Sequence, residues 1–191
     1  MSQHVVDFTL DELDWHPRVR PIILEGATAE QRDAMKITPS ATQVSDYILV
    51  LAQEAPMLNA RSPLFNEIMY GKDGLSRGGR EMGALAASIV NECIFCASVH
   101  ARRHVQLEKR SDVIETILRD KLDADLHGLD RALFDFSVAL TRKTDDPAGL
   151  PVAALRNAGL DDLEILDLVH SIAVFGWANR LMHTLGEPRR K

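Results

Sequence analysis

The closing stretch LDDLEILDLVHSIAVFGWANRLMHTLG, residues 160–186, most narrows the folds open to this chain. It contains no proline, opens on acidic residues and repeats its apolar positions at helical spacing, so it predicts one long helix. Such a helix buries its apolar side against other helices, and the rest of the chain supplies them. After Gly74 the run LSRGGREMGALAASIVNE has a cap signal at Ser76 and small residues, Gly83, Ala84, Ala86, Ala87 and Ser88, that permit close packing. Asn91 is placed to end that helix, and the next is expected from about Glu92 to Lys109. SDVIETILRD, LDRALFDFSVALTR and LPVAALRNAG also read as helices, separated by Gly, Pro and Asp-rich turns. No convincing alternation of the strand type is present, so the expected fold class is all-α.

The first quarter is less regular. Residues 1–25 lack a clear period and are broken by Pro17 and Pro21, so an arm of short strand-like or irregular structure is expected. Thr28 gives an N-cap signal to TAEQRDAMKI, and after Pro39 the residues Val44, Tyr47, Ile48 and Leu51 fall at helical spacing. Pro56 is expected to break the chain, with PLFNEIMYG forming a short helix that ends near Gly71.

With 191 residues the chain suits one substantial core. Its 28 acidic against 22 basic residues give a net charge of −6, which leaves no general basic surface for nucleic acid. The longest apolar run, Met82 to Val90, is far too short to span a bilayer, and the acidic start MSQHVVDFTLDELDW is unlike a signal peptide. No membrane partner is expected. The expected compartment is the cytoplasm, where a disulfide is more often transient and catalytic than structural.

The only two cysteines stand three residues apart in ECIFCASVHARRH, residues 92–104. On a helix Cys93, Cys96 and His100 share one stripe, and His104 lies one turn further along it. Backbone N–H groups at a helix start favour a thiolate, so one sulfur of such a pair can attack a substrate and the other resolve the product as a disulfide. A zinc clip needs two further N or S ligands, and here there is no third cysteine and His100 sits on the same helix. A c-type haem needs His directly after the second cysteine, where Ala97 stands. Two buried cysteines acting as small apolar residues remain an alternative, given Ile94, Phe95 and Val99 around them. Glu81, on the preceding helix, reads either as partly buried or as an ordinary surface carboxylate. His104 reads more readily as a residue of a solvated helix face than as a substitute proton carrier, and Arg102 and Arg103 as surface charges.

Glu81, eleven intervening residues, Cys93, two, Cys96, three, His100: this pattern resembles the signature of the alkylhydroperoxidase D-like family, within the carboxymuconolactone decarboxylase-like superfamily. The C-terminal helices and the closing LGEP extend the resemblance over roughly residues 45–188. It divides the chain into an N-terminal arm and helical extension, 1–44, and an alkylhydroperoxidase D-like domain, 45–188. The resemblance implies a helical bundle that assembles as a homo-oligomer, a trimer or hexamer. It implies a peroxidase acting on organic hydroperoxides or hydrogen peroxide, with Cys96 attacking, Cys93 resolving, and His100 and Glu81 relaying the proton. An external dithiol, of lipoyl or thioredoxin type, would restore the pair, and no metal or other cofactor takes part. The family's peroxidases carry a histidine immediately before the second cysteine, where this chain has Phe95. The same resemblance leaves two alternatives: a non-peroxidatic disulfide oxidoreductase partner, and a lactone decarboxylase or isomerase using Glu81 and His100. In family terms Asn179 and Arg180 help shape the pocket or a subunit interface; by local physics they are a helix-end cap and a surface charge.

Overall fold

The computed structural model describes residues 5–36, 43–142 and 150–191. The break expected at Pro39 and the turn following Arg142 lie outside the described residues. Helix α1 (Ala29–Ala34) begins at Thr28, whose side chain accepts from the Gln31 amide while Gln31 returns a bond to the Thr28 backbone. This reciprocal cap satisfies amides that a helix start otherwise leaves open. Helix α2 (Asp46–Leu51) has a one-way cap, the Ser45 hydroxyl accepting from the Ile48 amide at 3.4 Å.

Helix α3 (Ala55–Tyr70) corrects the sequence reading, because it is continuous across both prolines. Pro56 occupies the first turn, where its missing N–H has no helical partner to lose. Pro63 lies inside the helix and does forgo a bond, at a cost of roughly 3 kcal/mol. The buried positions Ala55, Leu58, Ser62 and Met69 hold the segment in register against its neighbours, and that packing outweighs the loss.

Helix α4 (Arg77–Val90) is the axis of the molecule. Ser76 caps it by accepting from the Gly79 amide at 3.1 Å, and every residue from Gly78 to Ile89 is buried. It packs against α5 (Ile94–Glu108), α7 (Gly128–Arg142) and α9 (Asp162–Leu185), while α6 (Asp112–Asp120) and α8 (Val152–Asn157) complete the outer layer. Gly83 is required where α4 meets α9, since a Cβ there would stand 2.9 Å from a Leu168 methyl. Ser171 ties the same pair by donating to the Arg80 carbonyl at 2.7 Å. The core around α4 contains Met82, Leu85, Ile114, Phe134, Phe136 and Leu168.

The strand-like arm pairs with a second strand that the sequence reading missed. Strand β1 (Leu13–Pro17) runs antiparallel to β2 (Gly186–Arg190), with Leu13 opposite Arg190 and Pro17 opposite Gly186. Trp15 points inward and donates from Nε1 to the Met182 carbonyl at 3.1 Å. Its ring lies so close to Gly186 that a Cβ there would stand 2.2 Å from it. Among the described residues, no helix is long and apolar enough to cross a membrane.

Candidate functional site

Helices α4 and α5 are joined by a turn of three residues. Asn91 closes α4, Glu92 takes a left-handed φ of 57°, and the Cys93 amide donates back to the Ser88 carbonyl at 2.8 Å. The reversal lays α5 against α4 from its first residue. Cys93 is therefore the N-cap of α5 and Cys96 lies in its first turn, as the spacing predicts.

The helix pair brings Glu81 and His100 together. His100 Nδ1 stands 2.6 Å from Glu81 Oε2, in a contact where both side chains are buried. The other carboxylate oxygen accepts from Arg77 Nε at 2.8 Å and also from Arg77 Nη2. Arg77 itself lies over the Tyr70 ring, 3.9 Å from its centroid. Burial pushes the Glu81 carboxyl up, but His100 and then Arg77 outweigh it, so Glu81 titrates below its ordinary value. An ionised carboxylate only accepts, so Nδ1 of His100 carries a proton, and in the neutral ring Nε2 is the nitrogen with the lone pair. Phe175 holds the imidazole edge-to-face, with centroids 4.1 Å apart. A fixed tautomer with one free basic nitrogen can take a proton from a neighbouring group.

The cysteines lie at the other end of the same stripe. Cys93 and Cys96 are joined as a disulfide, with Cα atoms 5.4 Å apart. Both are buried with Trp15, Val50 and Met182, under partial cover from Tyr47, Phe95 and Leu185. Cys93 lines a pocket of about 220 Å³ between the β1–β2 ribbon and the start of α5.

Of the residues singled out from sequence, Glu81 is inside the core and not on the surface. His104 corrects the reading: it is 2% exposed, and its Nδ1 has no partner among the described residues. Spacings of three, four and four residues keep 93, 96, 100 and 104 on the side of α5 that faces α4. Burial, the largest influence, lowers its basicity. Arg103 is a surface residue bonded to Gln106. Asn179 is fully buried on α9, within 3.1 Å of both the Ser88 hydroxyl and the Asn91 side chain, so it braces the α4–α5 turn. Arg180 is exposed and donates to the Gly176 carbonyl. Arg77, Phe175 and Trp15 were not anticipated. Arg77 carried a signal, lying four residues before Glu81 on one helix face. Trp15, 78 positions before Cys93, carried none. Among the described residues, no group of three His, Cys, Asp or Glu side chains is placed to hold a metal ion.

Residues 55–125, which contain the whole constellation, match the carboxymuconolactone decarboxylase family. No curated protein matches the chain. Among solved structures, the alkylhydroperoxidase AhpD core of a peroxidase-related protein from Ralstonia eutropha JMP134 is 26% identical. That match covers 88% of this chain and 90% of the other, with a TM-score of 0.76. A peroxidase-related protein from Silicibacter sp. TM1040 is 24% identical over 90% and 91% of the two chains, also with a TM-score of 0.76. The debrominase Bmp8 has the same fold at 16% identity, over 87% and 89% of the chains, with a TM-score of 0.68. Fold and site together define an all-α protein of the alkylhydroperoxidase D-like type. Residues 55–125 carry the match to the carboxymuconolactone decarboxylase family, and the chain as a whole is similar in fold to the alkylhydroperoxidase AhpD core.

Proposed function

We propose that the protein is a thiol-dependent peroxidase that reduces organic hydroperoxides or hydrogen peroxide. The observation that carries the reading is one helix face holding both a cysteine pair that closes as a disulfide and a histidine fixed by a buried carboxylate. The likeness to a peroxidase-related protein at 26% identity supports the same reading. His100, held by Glu81, takes the proton of Cys96 through its free Nε2. The Cys96 thiolate attacks a peroxide oxygen, the O–O bond breaks, and the alkoxide or hydroxide leaves with that proton. Cys96 is then a sulfenic acid. Cys93 condenses with it, releasing water and forming the disulfide. An external dithiol reduces the pair by exchange and is itself oxidised. The reading includes a homo-oligomer, trimer or hexamer, working in the cytoplasm without a metal or other cofactor.

The test is a stoichiometric one. One equivalent of peroxide removes two thiols per chain from the reduced protein, and a dithiol restores them. Cys96→Ser lowers peroxide consumption by at least about 10³-fold; a variant as fast as the parent would overturn the assignment. The rival reading, acid–base chemistry on a lactone by Glu81 and His100, keeps its activity when both cysteines are serine.

A further inference from the structure

Both cysteines are nearly closed to solvent, Cys93 at 3% and Cys96 at 5% exposure, but they do not share a pocket. Cys93 lines the pocket of about 220 Å³, whose lining does not include Cys96. Thiol–disulfide exchange is an in-line displacement: the incoming sulfur, the attacked sulfur and the leaving sulfur lie close to one axis. A reductant that enters this pocket meets Cys93 and expels Cys96. The departing thiolate is the one the proposed peroxidase cycle needs for its next attack.

The pocket walls come largely from the two ends of the chain. Trp15 and Pro188 of the ribbon, with Ile94, Phe95 and Met182, make it mainly apolar, and Arg18 and Glu92 stand at its rim. Arg18 is held in place by donating to the His183 carbonyl at 2.6 Å and to Glu187 at 3.3 Å. His183 lines the same pocket. Its Nε2 lies 2.8 Å from the Asn91 carbonyl oxygen, which can only accept, so Nε2 carries the proton. In the neutral ring Nδ1 is then an acceptor, and it has no partner among the described residues. An imidazole with one nitrogen anchored and the other free, lining the same pocket as Cys93, is placed to receive the proton of a thiol that enters it.

We propose that this pocket is the reductant's entry, that attack falls on Cys93, and that His183 takes the proton of the attacking thiol. Of the two reductant types that the resemblance implies, the pocket's size and apolar walls suit the lipoyl-type dithiol and not a folded surface. In the first step the thiol loses its proton to His183 and bonds to Cys93 Sγ, and the Cys93–Cys96 bond breaks to leave Cys96 as a thiolate. In the second step the reductant's other thiol loses its proton to solvent and attacks the reductant sulfur bound to Cys93 in the mixed disulfide. Cys93 leaves and recovers the proton, and two electrons have passed from the dithiol to the pair. The inference rests on the redox reading of the cysteines, but the mapping of the adduct does not depend on turnover of peroxide.

The oxidised wild-type protein is mixed with 2-mercaptoethanol, quenched in acid within the first turnover, alkylated and mapped by fragmentation mass spectrometry. The adduct is expected on Cys93 and the alkyl group on Cys96; the reverse distribution overturns the proposal while leaving a peroxidase intact. Protein inert to peroxide that still carries the adduct on Cys93 overturns the peroxidase and supports this entry. His183→Gln is expected to slow reduction by dihydrolipoamide at least about tenfold at pH 7. Its rate should then follow the ionisation of the attacking thiol alone as pH rises. An unchanged rate and profile would remove His183 from the step, and a thioredoxin as fast as dihydrolipoamide would overturn the small-dithiol assignment.

Discussion

One face of α5 serves two regions held together by different physics. At His100 the contacts are charged and buried: Arg77, Glu81 and the imidazole form a chain from the edge of α4 into the core. At Cys93 and Cys96, one turn or two away, the surroundings are Trp15, Val50 and Met182, and the cover is made by packing. The charged region is built within the central hairpin. The apolar one is borrowed from both ends of the sequence. A buried ion pair is costly to break from one side, whereas an apolar cover loses stability in proportion to what is removed. The two regions therefore respond to different perturbations.

The largest effect on folding is expected from Glu81→Gln, which keeps the shape but leaves Arg77 beside His100 without an anion. A loss of about 4 kcal/mol, read from urea midpoints at pH 7, follows from the usual outcome of removing one partner of a buried pair. A shift below 1 kcal/mol would show that the charged chain does not stabilise the hairpin. Trp15→Phe acts on the other region. It leaves the Met182 carbonyl unpaired and should cost about 2 kcal/mol. It should also speed alkylation of the reduced cysteines, whereas Glu81→Gln should not. Equal alkylation in the two variants would break the distinction.

The smallest effect is in pH. Glu81 titrates below its ordinary value in the folded protein, so its contribution is present above the unfolded value near 4.5 and is lost as pH falls through the lower folded value. His104 is also lowered, but as a base: the folded protein holds it neutral, and stability falls as pH drops below about 6.5 because only the unfolded chain takes up the proton readily. His104→Leu should flatten the slope of stability between pH 6.5 and 5, a change of at most about 1.4 kcal/mol per pH unit. Glu81→Gln should flatten it only below pH 5. An unaltered slope in the His104 variant would assign that window to other groups.

The hairpin was legible from the sequence because its determinants are local. Ser76 caps α4, the small residues of that helix announce burial, and the spacing of Glu81, Cys93, Cys96 and His100 places the site. Thr28 marked another helix start just as directly, and the acidic opening of the last helix proves to be a reciprocal cap of Asp161 with Glu164. What was misread depended on partners distant in sequence. Pro63 stays helical because α3 is pressed on its neighbours, and His104 is buried because α5 has α4 beneath it along its whole length. The ribbon left only a faint trace. Leu13 and Trp15 turn inward between the exposed Asp14 and His16, an alternation of four residues that means little until residues 186–190 arrive to pair with it.

That pairing sets an order of events in synthesis. Cys93 and Cys96 are near neighbours and can react with one another as soon as α5 forms, but the ribbon that shelters them is finished only when Pro188 and Arg190 have been added. During synthesis the nascent chain therefore carries a bare thiol pair until residues 186–190 have been made. Its redox state at that stage is set by the surrounding thiol pool, and the cover over the sulfurs is completed only when residues 186–190 pair with β1.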